Sequence, residues 1–190
     1  MIREGAAPQT VSDFLDSLAE PARIAASRSL DRQAQRALWK LVDGFRPLRL
    51  TDMVPAKAPP LHAIQHFGRN TLPVFTLFEK RFYRAEGRDP SAPGELGGAN
   101  FQSIQFLTGP GYFVAREDAA RGEVLVDYNH VPTTAPSDFS PIVPNKGNRS
   151  GLVYGQMIDT LRRVSEHVTI GSAAKNGKPI GSWFTLCRKE

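Results

Sequence analysis

The chain holds a single cysteine, Cys187, in 190 residues. An internal disulfide framework is therefore excluded, the fold must rest on an apolar core, and a reducing compartment suits the composition. No stretch approaches the ~18 consecutive apolar residues of a membrane-spanning helix, and the opening MIREGAAPQT has no apolar leader segment. The resulting expectation is a cytoplasmic protein without a membrane span. The net charge is +5, but the lysines and arginines are interspersed with acids and form no block, which argues against a nucleic-acid partner. The phosphate-loop pattern GxxxxGK[ST] and the zinc pattern HExxH are both missing, as are internal repeats and low-complexity tracts. No cofactor and no metal are expected.

What is present is an ordinary globular composition, 41% apolar and 23% charged, with enough residues for one substantial core. We expect a single domain over 1–190: a mainly helical part over 1–84, a loop over 85–100 and a β-rich part over 101–190. Sixteen glycines and 15 prolines imply many turns. Thr10-Val11-Ser12-Asp13 has the form of a capping box, and Val11, Phe14, Leu15 and Leu18 form a helical stripe behind it. A second short helix fits Ala22 to Ser29. A third begins at an Asp31 cap, carries Ala34, Leu38, Leu41 and Val42 on one face and closes at Gly44. Residues 46–60 hold four prolines and read as a connector without regular structure. A short helix is expected next, between Pro60 and Gly68, and residues 72–84 favour helix over a strand carrying Val74, Thr76, Phe78 and Lys80 on one face.

Beyond residue 100 the pattern turns to strands: 101–107, 112–116 and 124–128 suit an antiparallel meander. Residues 152–164 fit helix or strand equally. The most legible element is the C-terminal hairpin with an Asn176-Gly177 turn, two residues that accept the positive φ of a type I′ turn. If Lys175 pairs with Lys178, Ile170 faces Trp183 and Val168 faces Thr185. One face then carries Val168, Ile170, Trp183, Thr185 and Cys187; the other carries His167, Thr169, Phe184 and Leu186. Neither is a solvent face, so the hairpin should be covered on one side and line a core or cavity on the other.

The candidate chemistry is polar groups at strand ends. Asp127, Tyr128, Asn129 and His130 close a strand, and Asp127 orients His130 only where the chain turns sharply, since neighbours on an extended strand point to opposite faces. His167 and Glu166 lie near Asp159, Arg162 and Arg163, where an arginine suits a carboxylate or phosphate. His62 and His66 share a face if helical, though without a third metal ligand. The loop from Asn145 to Gly151 offers backbone N–H groups to an anion. Aromatics including Phe106, Tyr112, Trp183 and Phe184 suit a core or the wall of an apolar pocket.

The run Gly155 to Val164, followed by Val168-Thr-Ile-Gly171 and Trp183-Phe-Thr-Leu-Cys-Arg188, resembles the closing strands of small bacterial lipocalin-like barrel proteins of the GXWXG and fibrillin type. The Gly-x-Trp-x-Gly motif itself is missing. The resemblance implies a barrel with a small-molecule cavity. Taken together, the expected fold is α+β, with N-terminal helices packed on a C-terminal antiparallel β-sheet that forms a full or partial lipocalin-like barrel. The leading functional expectation is binding of a small apolar or amphipathic ligand by Tyr128, Arg162, Trp183, Phe184, Tyr112 and Phe106. The alternatives are an enzyme using His130, His167 and Asp127 for acid-base chemistry in the same cavity, and a basic module that binds protein or nucleic acid.

Overall fold

The computed structural model describes residues 2–73, 76–101, 111–143 and 155–190. Four helices lie at the N-terminal side: α1 (Pro8–Asp16), α2 (Glu20–Ser29), α3 (Arg32–Leu41) and α4 (Leu50–Met53). Eight strands follow: β1 (Ile64–Asn70), β2 (Leu77–Tyr83), β3 (Leu96–Phe101), β4 (Gly111–Asp118), β5 (Glu123–Asp127), β6 (Met157–Arg163), β7 (Val168–Lys175) and β8 (Lys178–Arg188). Each strand pairs antiparallel with the next, and β8 pairs back onto β1, so the sheet closes into a barrel in chain order. The architecture is α+β with a closed barrel. Among the described residues, closure leaves no strand at an open sheet edge.

The helices begin where local chemistry allows. Pro8 and Pro21 occupy first turns, where their missing N–H groups cost nothing. Helix α1 starts two residues before the expected Thr10 cap, with Ala7 in the extended conformation ahead of it. Asp31 caps α3 as expected, its side chain accepting from the Ala34 N–H at 2.9 Å. Arg23 fastens α1 to α2. Buried, it donates to the Leu15 and Leu18 carbonyls at 3.1 and 2.8 Å, and so satisfies groups that the end of α1 leaves open.

Three helices cover one side of the barrel. Val11, Leu15, Leu38 and Val42 pack on Val168, Ile170 and Cys187, the outward residues of β7 and β8. Buried apolar area at roughly 25 cal/mol per Å² holds this layer in place, and polar ties fix its position. Gln35 donates to the Arg69 carbonyl at 3.2 Å, and Thr185 donates to the Ser27 carbonyl at 2.9 Å. A different side of the barrel is covered by residues 131–142, where Phe139 packs on Tyr83, Phe101 and Tyr112.

Several expectations are corrected. The connector at 46–60 contains α4, and this segment plugs one end of the barrel: Leu48, Leu50, Met53, Val54 and Ala58 join the interior core. The segment is held by the Leu48 N–H on the Gly122 carbonyl at 2.9 Å and the Leu50 N–H on Glu117 at 2.7 Å. The expected helix between Pro60 and Gly68 is strand β1, and the helix favoured at 72–84 is strand β2. The helical spacing of Phe78 and Phe82 is real, but with Lys80 the two phenylalanines also satisfy the period of a strand. Strand β3 begins at Leu96, inside the expected 85–100 loop, and Met157–Arg163 of the ambiguous 152–164 segment is strand β6. The sheet therefore starts at Ile64, well before residue 101. The parts of the expected 101–107 strand and 152–164 segment at 102–107 and 152–154 lie outside the described residues.

The final hairpin keeps its Asn176-Gly177 turn, with φ of 53° and 72°, and its Lys175–Lys178 pair. Its register beyond the turn differs from expectation. Ala174 pairs with Pro179 but Ala173 pairs with Ser182, so Ile180 and Gly181 bulge out and Ile170 meets Thr185 instead of Trp183. Gly181 supplies the positive φ of 66° that the bulge requires, and Arg32 donates to its carbonyl at 2.7 Å. Because two residues are inserted, the faces do not swap. Ile170 and Trp183 face the helices, whereas Thr169, Phe184 and Leu186 face the barrel interior.

Candidate functional site

Alternation along each strand decides what enters the barrel. The inward positions include Ile64, His66 and Gly68 of β1, Phe78, Lys80 and Phe82 of β2, Gly98 and Asn100 of β3, and Phe113 and Ala115 of β4. Across the barrel from these lie Val124, Val126, Asp159, Leu161, Gly171, Phe184 and Leu186. Most are apolar. A charged cluster among them is therefore the feature that needs a physical account.

That cluster is centred on Lys80, which is 2% exposed. Its Nζ donates to Asn100 Oδ1 at 2.9 Å, to Asp159 Oδ2 at 3.2 Å and to the Tyr128 hydroxyl. Tyr128 in turn donates to Asp159 Oδ2 at 3.2 Å and accepts from Asn100 Nδ2 at 2.9 Å. Strands β2 and β6 stand on opposite sides of an eight-strand ring, so the Lys80–Asp159 pair reaches across the barrel interior. It is not a neighbour contact on the wall.

Four aromatic rings surround the ammonium. The centroids of Tyr128, Phe184, Phe113 and Phe78 lie 4.9, 5.0, 5.2 and 5.7 Å from Nζ. Three of these rings are seated on glycines of adjoining strands. A Cβ at Gly68 would come within 2.6 Å of the Phe78 ring, one at Gly98 within 2.3 Å of Phe113, and one at Gly171 within 2.2 Å of Phe184. The glycines let the rings lie against the wall.

The electrostatics follow from burial. Desolvation lowers the affinity of Lys80 for its proton, opposed by the Asp159 carboxylate beside it. Desolvation likewise raises Asp159 above the usual carboxylate range, opposed by Lys80 and by the Tyr128 hydroxyl. Asp159 Oδ1 is buried and has no hydrogen-bond partner among the described residues. At the plugged end His66 is also buried; desolvation pushes it down to about 3, and its Nε2 lies 3.0 Å from the Met53 carbonyl.

The structure separates the residues that the sequence had grouped. Tyr128 and Phe184 line the interior beside Lys80. Arg162 points outward and is saturated: it bonds Glu123 at 2.7 Å, Asp43 at 2.8 Å and the Trp39 carbonyl at 2.9 Å, and its guanidinium lies over the Trp39 ring. Trp183 packs under the helices and Tyr112 under residues 131–142. Phe106 and the Asn145–Gly151 segment lie outside the described residues.

The chain does turn after β5, bringing His130 Nδ1 to 2.6 Å from Asp127 Oδ2 on the outer surface, with the imidazole 62% exposed. Burial alone would raise Asp127, but hydrogen bonds from Asn129 and His130 hold it below the usual range. His167 is elsewhere, in a groove of about 910 Å³ that it shares with His62, Ile64, Arg188 and Glu190. His62 lies ahead of β1 and lines this groove, whereas His66 lies on β1 inside the barrel, so the two are parted. The groove's acids Glu166 and Glu190 are more than half exposed. Solvated charges at a surface cost little to keep, whereas a buried ion pair costs several kcal/mol per ion before its own attraction is counted. The cluster is therefore the stronger indication of a site.

Sequence reasoning missed Lys80 and Asn100 and read Asp159 into the wrong group. The signal was the strand phase Phe78, Lys80, Phe82, in which a lysine alternates with aromatic residues. No protein-family model matches the chain, and no curated protein matches it.

Proposed function

We propose that the protein is a cytoplasmic lipocalin-like carrier that binds a small amphipathic molecule inside its barrel. The polar end of the ligand meets Lys80, Asn100, Tyr128 and Asp159, and its apolar body lies against Phe78, Phe113 and Phe184. The observation that carries this reading is the buried Lys80–Asp159 pair, with Asp159 Oδ1 lacking a partner among the described residues. A buried polar atom without a partner costs about 1–3 kcal/mol, and a ligand hydroxyl placed beside it recovers that loss. Eight strands enclose an interior just wide enough to be filled by side chains or to hold one small ligand. Gly68, Gly98 and Gly171 seat the rings of Phe78, Phe113 and Phe184 against the wall, and those rings are the apolar surface the ligand would meet. The closed meander in chain order supports the lipocalin-like reading, and the buried Cys187 suits a reducing location.

The test is native mass spectrometry of the purified protein against its denatured mass, followed by titration with a medium-chain alcohol such as decanol. A co-purified small molecule, or one equivalent of decanol bound, is the expected result. Substituting His130→Gln or His167→Gln should leave that binding unchanged, since neither side chain faces the interior. A clean unliganded mass with no binding across a lipid and metabolite panel would overturn the proposal.

A further inference from the structure

We infer that Lys80 is an amine nucleophile for a carbonyl-bearing ligand, an amphipathic aldehyde or ketone, which it holds as an imine inside the barrel. This rests on the carrier reading and goes beyond it: the ligand is bonded to the protein.

Lys80 is the one lysine among those described that is fully buried. Lys40, Lys57, Lys178 and Lys189 are exposed, and Lys175 is partly so. Its three ammonium hydrogens all go to side-chain atoms, Asn100 Oδ1, Asp159 Oδ2 and the Tyr128 hydroxyl, and none goes to a backbone carbonyl. Two of these three partners are proton carriers in contact with Nζ, which is what imine formation requires: a base for the proton that nitrogen loses and an acid for the oxygen that leaves. Once it has taken the Lys80 proton, Asp159 can donate from its orphaned Oδ1 to the carbonyl oxygen. Around them, the rings of Phe78, Phe113, Tyr128 and Phe184 form a cage at 4.9 to 5.7 Å. Such a cage suits a cation that is delocalised and weakly hydrated. A protonated imine has one N–H to satisfy, which Asp159 accepts, whereas an ammonium has three.

The chemistry balances without an oxidant or reductant. Proton transfer from the Lys80 ammonium to Asp159 leaves a neutral amine. Its lone pair attacks the carbonyl carbon, forming the C–N bond while the carbonyl π pair moves to oxygen. That oxygen takes the proton from Asp159, and the nitrogen gives one proton to the freed Asp159 carboxylate by way of the Tyr128 hydroxyl. The carbinolamine hydroxyl takes this proton and leaves as water while the C=N bond forms. The net change is ammonium plus carbonyl to protonated imine plus water, with Asp159 again a carboxylate beside the new cation. Desolvation of Lys80 favours the neutral amine in the first step.

The test uses the full chain incubated with decanal, reduced with sodium borohydride and analysed by intact mass and peptide mapping. The expected result is one decyl group per chain, located on Lys80 and absent from the Lys80→Met/Asp159→Leu variant, whose fold is checked by circular dichroism. Should that variant not fold, blocking by excess decanol serves instead, because it must suppress the Lys80 adduct in the native protein. Adducts spread over Lys40, Lys57, Lys178 and Lys189 without enrichment at Lys80 would overturn the inference. If decanol binds at one equivalent but decanal is not trapped on Lys80, the imine fails while the carrier reading stands. If neither binds, both fail.

Discussion

Replacing Lys80 with methionine removes the cation and keeps an unbranched side chain of similar length, so the change falls almost wholly on the charge network. Asp159, 3% exposed, then keeps the Tyr128 hydroxyl at 3.2 Å as its hydrogen-bond donor. Breaking a buried ion pair from one side costs about 3–5 kcal/mol because it strands the other charge. With a urea m-value near 2 kcal/mol per M, the midpoint of unfolding should fall by roughly 2 M. Removing both partners in Lys80→Met/Asp159→Leu takes away the stranded charge, and such replacements lie between neutral and ~4 kcal/mol more stable than the native pair. Asn100 and Tyr128 keep their mutual 2.9 Å hydrogen bond in that variant. The assay is equilibrium urea unfolding of the wild type and both variants, with m-values compared to confirm a common unfolded state. A single variant that loses less than about 1 kcal/mol, or a double variant no more stable than the single, would refute the reasoning.

Three further outcomes follow from the same structure. His66 is neutral and buried, pushed from 6.5 to about 3, so below pH 6.5 the unfolded chain binds a proton that the folded protein refuses. Stability should therefore be present above pH 6.5 and drain away as the pH falls toward 3, by about 2 kcal/mol at pH ~5; His66→Gln should flatten this slope in thermal melts recorded across the range. Gly171→Ala places a Cβ 2.2 Å from the Phe184 ring, and the forced shift should cost about 1–3 kcal/mol and weaken decanol binding in the same titration. Arg162→Ala takes from the buried Glu123 its 2.7 Å partner, leaving it the exposed Arg121 at 3.0 Å, and should lower the melting temperature, while affinity for decanol per folded molecule stays unchanged.

The parts of the fold that could be read from sequence were those fixed by local chemistry. The Asp31 cap and the Asn176-Gly177 turn each depend on a few adjacent residues, and each is where local rules put it. The faces of β7 and β8 were legible because side chains alternate, even though the bulge at Ile180 and Gly181 moved the pairing by two. Strands β1 and β2 were not legible. Gly68 and Lys80 are poor strand formers whose places are decided by the ring on a neighbouring strand and by a carboxylate across the barrel, contacts that no local window contains. The site was hidden for the same reason. Lys80 and Asp159 are 79 residues apart, and a lysine flanked by charged Glu79 and Arg81 reads as surface until closure turns it inward. Arg162 misled in the opposite direction, because an arginine beside the correct strand residue points away from the interior.

The most direct test of the central claim is a crystal structure of the protein grown with decanol. The hydroxyl should lie within hydrogen-bond distance of Asp159 or Lys80, with the alkyl chain along Phe78, Phe113 and Phe184. Alcohol bound instead in the groove of His62 and His167, or under the helices, with the barrel interior unchanged, would contradict it.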